Sequence, residues 1–370
     1  MRFKVLVLPG DGIGPEVTGE AVKVMEAVSA RTGLAVDYVR DEVGGAAMDR
    51  HGVPIREETL ELARRSHAVL FGAVGGPRWD DPKAPVRPEQ GLLALRKGMG
   101  VFANLRPVRV FPCLEAASPV KPERLRGVDL VVVRELTGGL YYATPKRRWQ
   151  TSRGRAGVDT LKYTEAEIRR ILRVGFELAR ARRKRLTSVD KANVLETSRL
   201  WREVASEMGC EYPDVALEHA LVDSCAMQLV SNPARFDVLV MENTFGDILS
   251  DEASVLSASL GMLPSASLSR VPAGDGRGRG SRSPGLYEPV HGSAPDIAGQ
   301  GKANPVGAIL SAALMLRYSL GRPHEAALVE RAVERALTGG LRTADIAAPG
   351  QRVVTTKEMG NAVAELVRTL

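Results

Sequence analysis

Apolar and polar residues alternate along the chain in two rhythms. The run KVLVL (4–8) is apolar almost throughout and ends in a glycine turn. Beyond Pro15, the apolar positions of EVTGEAVKVMEAVSA recur at helical spacing. The first reads as a buried strand and the second as a helix entered through proline. DYVR (37–40) and AVLFG (68–72) repeat the strand pattern around the helical segment EETLELARRS. Further strands are predicted at 129–136, 185–191, 215–220 and 237–241. Helices are predicted at 164–183, 197–208, 221–231, 246–258, 304–320, 324–337 and 357–368. Strands and helices in alternation predict an α/β fold with a partly parallel sheet.

Charges that interrupt this pattern are the candidates for chemistry. In NTFGDILSDEAS (243–254), Asp247 and Asp251 lie four apart among residues suited to burial, so a helix carries both carboxylates on one face. Buried unpaired carboxylates cost several kcal/mol, so the pair calls for a positive charge. With Asp223 they make an all-oxygen set at helix starts, the donor type taken by Mg²⁺ or Mn²⁺. Helix capping is the alternative for Asp247 after Gly246, but it leaves Asp251 a full turn inside. Arg96 in LLALRKG, Arg106 in FANLRPV and Arg134 at the end of DLVVVREL suit bidentate binding of a di- or tricarboxylic acid. Each alone also reads as the partner of a nearby acid such as Glu135. Lys191 ends the run SVDK and suits a base of lowered pKa, although its local sequence alone favours a surface lysine.

Two turns are rich in backbone amides. LPGDGIGPE (8–16) carries GxGxG rather than the dinucleotide GxGxxG and reads as a tight turn. EPVHGSAPDIAG (288–299) suits phosphate on its N–H groups and a ribose on Asp296, or is an ordinary helix lead-in.

Composition narrows the class. A chain of 370 residues with 44% hydrophobic and 26% charged residues is an ordinary globular protein with room for two domains. No apolar run spans a bilayer and no secretory leader is evident, so a cytoplasmic protein is expected. Cys113, Cys210 and Cys225 read as reduced thiols. The net charge of +7 is spread over 146–155, 179–185 and 276–282, read as loop, helix end and loop. Solvated surface is favoured over a nucleic-acid footprint, and an anionic substrate also suits a positive field. The Gly/Arg/Ser/Pro segment 271–285 reads as a mobile surface loop.

Taken together, LPGDGIGPEV, GLLALRKG, FANLRP, RELTGGLYY, TSVDKANVLE, NTFGDILSDEAS, GMLPSASL and EPVHGSAPDIAGQGKANP resemble, in order and spacing, the isopropylmalate/isocitrate family of β-decarboxylating dehydrogenases. The resemblance runs from residue 4 to about 320 and is closest to the isopropylmalate branch. It implies a two-domain α/β fold with mixed sheets flanked by helices, not a Rossmann fold. Residues 1–101 and 258–370 would form the first domain, and 102–257 a second that carries a homodimer interface. It assigns Arg96, Arg106 and Arg134 to the malate carboxylates, and Tyr141 and Lys191 to acid–base work. Asp247 and Asp251 become metal ligands with Asp223, and Lys191 and Asp223 come from the partner subunit. Ile13, Gly76, Glu89, Asn193, Glu288, His291, Gly292, Ser293, Ala294, Pro295, Asp296, Ile297 and Asn304 would line the NAD site, where His291 alone reads as a loop histidine.

The implied reaction is NAD-dependent oxidative decarboxylation of 3-isopropylmalate, a step of leucine biosynthesis. Glu89, Leu92, Leu93 and Val194 would form the wall that meets the isopropyl group. The alternatives are a sister enzyme acting on isocitrate, homoisocitrate, tartrate or malate, or a basic nucleic-acid-binding homologue. Neither nucleic acid nor membrane is expected as a partner. After Tyr141 the run Tyr142, Ala143, Thr144 departs from the family pattern, as do residues 145–159 and the longer 271–285 loop.

Overall fold

The structure, a computed structural model, describes residues 2–81, 84–270 and 284–370. Its strands are β1 (Arg2–Gly10), β2 (Ala35–Arg40), β3 (Ala68–Ala73), β4 (Ala103–Arg109), β5 (Asp129–Glu135), β6 (Arg147–Thr151), β7 (Gly154–Val158), β8 (Arg185–Asp190), β9 (Ala216–Leu221), β10 (Val238–Met241), β11 (Pro264–Leu268) and β12 (Gly285–Pro289). Ten of them form one mixed sheet in the order β2-β1-β3-β12-β11-β4-β5-β10-β8-β9. The first five come from residues 2–73 and 264–289, the last five from 103–241. The groups meet where β11 runs antiparallel to β4, with Ala266 opposite Leu105.

Strand periodicity decides what lies on each face of this sheet. On one face, called the back here, Val5, Val7, Leu105, Val131 and Val133 join a single core that spans both groups. It includes the helices Gly14–Thr32, Glu165–Arg180 and Val306–Tyr318. On the front the core is split. Leu6, Leu8, Val69 and Phe71 pack with Leu95 of the helix Glu89–Met99. Leu130, Val132, Leu239 and Met241 pack separately with Leu249 and Ala253 of the helix Asn243–Ser254. The charged residues singled out above lie on this front side.

Local sequence explains most elements. The apolar run of β5 is buried on both faces, as expected of an inner strand. Thr164 and Glu167 form a reciprocal capping box on the helix Glu165–Arg180, and Thr355 and Glu358 do so on Thr356–Thr369. None of the described helices is long and apolar enough to cross a membrane.

Several expectations change. The helix predicted at 246–258 begins at Asn243, and the Glu242 side chain caps it by accepting from Phe245 N. Asp247 and Asp251 therefore lie in its second and third turns, not at a helix start, and capping does not explain Asp247. The basic stretch 146–155, read as a loop, largely forms the hairpin β6–β7, in which Trp149 faces Ala156. The arginines of 179–185 do more than end a helix, since Arg182 and Arg183 bind Asp237, Asp129 and backbone carbonyls. Of the 271–285 loop, residues 271–283 lie outside the described residues, and Gly285 opens β12. β4, β11 and β12 escaped prediction because prolines, small residues and charges mask their apolar alternation.

Candidate active site

The site lies between the two front-side cores, and each arginine reaches it from a different element. Arg134 is the last residue but one of β5 and is buried among polar partners. Its Nε donates to Asn243 Oδ1 at 3.0 Å, and its Nη1 binds the Asp247 carboxylate. Arg106 projects from β4, where the alternate residues Leu105 and Pro107 turn to the back. It donates to Ser250 Oγ at 2.7 Å, Asp251 Oδ1 at 2.8 Å and Asn104 Oδ1 at 3.0 Å. Arg96, in the last turn of the helix Glu89–Met99, binds Glu288 of β12 at 2.7 Å. Burial lowers the Arg134 pKa from its ordinary value; Asp247 opposes the shift, while the Arg106 and Arg96 cations add to it. The three guanidinium groups thus share one electrostatic site.

Each arginine does pair with an acid, although not with the neighbour the sequence offered. Glu135 is taken by Arg170, Thr137 and the Gly138 amide. Arg96 Nε is buried and finds no acceptor among the described residues. A buried donor of this kind is costly unless a ligand satisfies it.

Tyr141 comes from the turn Gly139–Tyr141, just before the departure at Tyr142–Thr144. Its hydroxyl donates to Asp247 Oδ2 at 3.0 Å. Burial first, and then the hydrogen bond to Asp247, raise its pKa above the ordinary tyrosine value. The phenol therefore stays protonated at neutral pH, as a proton donor must.

Asp247 and Asp251 share one neighbour: Arg106 lies 2.8 Å from Asp251 and 4.0 Å from Asp247. This all-carboxylate pair fits a hard cation that draws its other ligands from water, substrate or a second chain. Asp223 stands apart from it. At the start of the helix Val222–Ser231, it accepts from Lys191 Nζ at 2.5 Å, which lowers its pKa. Among the described residues no three His, Cys, Asp or Glu side chains gather closely enough to hold a metal. Asn193 and Val194, just beyond Lys191, are exposed. So are Met227, Val230 and Ile248 on the adjoining helices.

A second set of residues surrounds the turn after β1. Gly10 and Gly12 have φ of +70° and +59°. A Cβ on Gly12 would stand 2.0 Å from Ser293 O, the atom that accepts from Ile13 N at 2.8 Å. Glycine is thus required for the close approach of the turns 9–14 and 291–297. Asp11 ties in two more loops: its carboxylate accepts from Gly45, Ala46 and Gly75 N–H groups, each at 2.8 Å. Glu89 borders Gly75, with Gly76 next to it. Gly292, Pro295 and Asp296 are exposed, Ser293 is buried, and Ala294 and Ile297 pack partly against the core. His291 Nδ1 donates to Gly292 O at 2.9 Å, while its Nε2 is buried without a partner among the described residues. Burial lowers its pKa. An orphaned imidazole nitrogen and an exposed Gly292 fit a dinucleotide. Asn304 is otherwise engaged, with Asp345, Met262 and the Val306 amide.

Near Arg96, Leu93 is exposed and Leu92 is half-buried against the core. Sequence reasoning missed Asp11, Asn104, Asn243 and Ser250, which position groups of the site. Asp11 alone had a local signal, an acid between the two positive-φ glycines of the turn.

Known proteins share this architecture. Residues 4–363 match the family model described as isocitrate/isopropylmalate dehydrogenase. The chain is 59% identical over 346 residues to 3-isopropylmalate dehydrogenase of Anaeromyxobacter dehalogenans, covering 94% of this chain and 95% of that protein. It is 54% identical to the protein of that name from Dehalococcoides mccartyi, covering 99% of this chain and 100% of the other. Among solved structures, isocitrate dehydrogenase from Methylococcus capsulatus aligns with a TM-score of 0.84 at 36% identity, covering 100% of both chains. A β-decarboxylating dehydrogenase from Thermococcus kodakarensis, in its apo form, aligns with a TM-score of 0.77 at 37% identity, covering 99% of this chain and 96% of that one. The ten-stranded sheet, the arginine–aspartate site and these near full-length matches together identify the chain as an oxidoreductase of the isocitrate/isopropylmalate dehydrogenase family.

Proposed function

We propose that the chain catalyses NAD-dependent oxidative decarboxylation of 3-isopropylmalate to 4-methyl-2-oxopentanoate and CO₂, in the cytoplasm, as a step of leucine biosynthesis. The observation that carries this reading is the convergence of Arg106, Arg134 and Tyr141 on the Asp247–Asp251 pair, with the Arg96 cation near enough to act on Arg134. Members of this family use a nicotinamide cofactor and a divalent metal. The metal is Mg²⁺ or Mn²⁺ on Asp247 and Asp251, with Asp223 supplied by a second copy. NAD lies against Ile13, Gly76 and the 291–297 turn, where Asp296 accepts from the ribose hydroxyls and repels a 2′-phosphate.

In this mechanism the substrate carboxylates take the place of protein acids on the guanidinium groups. Arg134 exchanges Asp247, and Arg96 satisfies its orphaned Nε, so binding replaces ion pairs at little desolvation cost. A metal held by Asp247 and Asp251 would supply the positive charge that lowers the pKa of the C2 hydroxyl, and a nicotinamide beside Ile13, Gly76 and the 291–297 turn would supply the acceptor for the C2 hydride. Lys191 receives the hydroxyl proton. The product is a β-keto acid whose C3 carboxylate leaves as CO₂, its bonding electrons passing into the enolate. Tyr141, held protonated, then donates its proton to C3.

Two domains, 1–101 with 258–370 and 102–257, form the walls of this cleft. A homodimer completes it: Asp223, which is exposed and holds Lys191, lies near exposed Val194, Met227, Val230 and Ile248, apolar residues suited to a second copy. Reduced Cys113, Cys210 and Cys225 accord with a cytoplasmic setting.

The test is reduced-cofactor formation with 3-isopropylmalate, isocitrate and malate, each with Mg²⁺ and with either NAD or NADP. 3-Isopropylmalate with NAD should give the highest kcat/KM by at least about tenfold. Equal or better turnover of isocitrate, or of NADP, sinks the corresponding assignment.

A further inference from the structure

The back of the sheet carries a second cleft of about 700 Å³ over the β4–β11 seam. Leu105, Val131 and Leu178 line it from one strand group and its helix, and Met262, Leu314 and Tyr318 from the other. Strand alternation places it opposite the active site: Leu105 and Val131 point into it, while Arg106 and Arg134 point to the front. Its size lies within the range of small-molecule pockets.

The charged residues that also line it, Arg109, Asp129, Glu177, Arg182, Arg317 and Glu330, are already matched. Arg109 binds Glu334 at 3.1 Å, Arg317 binds Glu330 at 2.7 Å, and Arg182 binds Asp129 at 2.9 Å and Asp237 at 2.8 Å. Glu177 accepts from Tyr212 at 3.0 Å. Tyr318, half-buried, adds its phenol to the wall. The cleft thus offers apolar walls and one phenol, but no uncompensated charge, and an ionised ligand would be desolvated there without return.

We propose that this back cleft binds an uncharged small molecule with an aromatic or branched aliphatic body and one hydrogen-bond acceptor, and that its occupation opposes closure of the active-site cleft. The second clause rests on the proposed function, in which substrate and cofactor are held between the two strand groups. Those groups join at β4–β11, so narrowing the front spreads the walls at the back. A ligand touching both walls loses contact on one of them. By linkage, substrate and cofactor then weaken its binding by the same factor as it weakens theirs.

Benzophenone is a suitable probe, being uncharged, aromatic and equipped with a carbonyl acceptor that inserts into nearby C–H bonds on irradiation. The full-length protein is irradiated with benzophenone and its peptides are mapped by mass spectrometry. Saturable labelling on the peptides that contain Met262 and Leu314 is expected. Filling the cleft by Leu314→Trp, or independently by Leu178→Trp, should abolish it in proteins that melt normally. Saturating 3-isopropylmalate with NAD and Mg²⁺ should reduce labelling of the unmodified protein at least about fivefold. Unsaturable labelling, or labelling scattered over other surface peptides, overturns the site. Labelling unchanged by ligands in a preparation that turns over 3-isopropylmalate overturns the coupling. A preparation that does not turn it over refutes the proposed function instead, and the ligand-free labelling still decides the site.

Discussion

Removing the Asp11 carboxylate would release two loops at once from the turn after β1. It accepts three N–H groups at 2.8 Å, from Gly45, Ala46 and Gly75, and is itself 6% exposed. A hydrogen bond to a charged group contributes about 1.5–3 kcal/mol, so three such bonds come to roughly 4–9 kcal/mol. Water entering the vacated space recovers part of this, so Asp11→Ala should lose about 4–6 kcal/mol, a large share of a typical domain's stability. Asp11→Asn keeps an oxygen for Gly45 and Gly75 but turns an NH₂ toward the Ala46 N–H. It should lose less, about 2–3 kcal/mol. Hydrogen exchange reads the three amides directly: each should exchange about 30-fold faster in Asp11→Ala, the equivalent of about 2 kcal/mol. The 75–76 and 9–14 turns contain Gly76 and Ile13, which are proposed to line the cofactor site. KM for NAD should therefore rise about tenfold, while KM for 3-isopropylmalate moves by less than threefold. An alanine variant within 1 kcal/mol of the parent in urea unfolding, or an asparagine variant worse than alanine, would refute the reasoning.

Other expectations follow from the same geometry. Burial raises the pKa of Glu242 above its ordinary 4.5, so its stabilising contribution is full below that pH and is lost as pH rises through the folded-state value. Glu242→Gln mimics the protonated group and keeps the acceptor for Phe245; it should melt about 2–4 °C higher than the parent at pH 7, with the gap closing near pH 4, and a gap that widens on acidification counts against it. Lys191→Ala and Asp247→Asn proteins should each be inactive, and refolding them together should restore about a quarter of the parent activity through heterodimers with one intact site; confirmed heterodimers without activity argue that the site is not shared. Replacing Leu92 and Leu93 together by alanine should lower the preference for 3-isopropylmalate over malate by about 10- to 100-fold, and an unchanged ratio of kcat/KM values would remove them from the specificity wall.

The sequence by itself determined the α/β class, because apolar runs such as DLVVVREL and the helical spacing beyond Pro15 are local signals that burial preserves. It also marked Arg96, Arg106, Arg134, Asp247 and Asp251, because a charge inside an apolar segment is conspicuous before any contact is known. Family resemblance added Tyr141, which no local pattern singles out. Tertiary structure decided the rest. The partners of the arginines are long-range: Glu288 lies 192 residues from Arg96, and Asp247 lies 113 from Arg134, so no window of sequence holds both ends. The order β12-β11-β4 joins segments from distant parts of the chain through strands whose small and polar residues give weak periodicity. That order, with the alternation of side chains along β4 and β5, sets the arginines on one face and the apolar cleft on the other. Asp11 is the sharpest case: its sequence neighbours suggest only a turn, while its function is to hold loops 34 and 64 residues away.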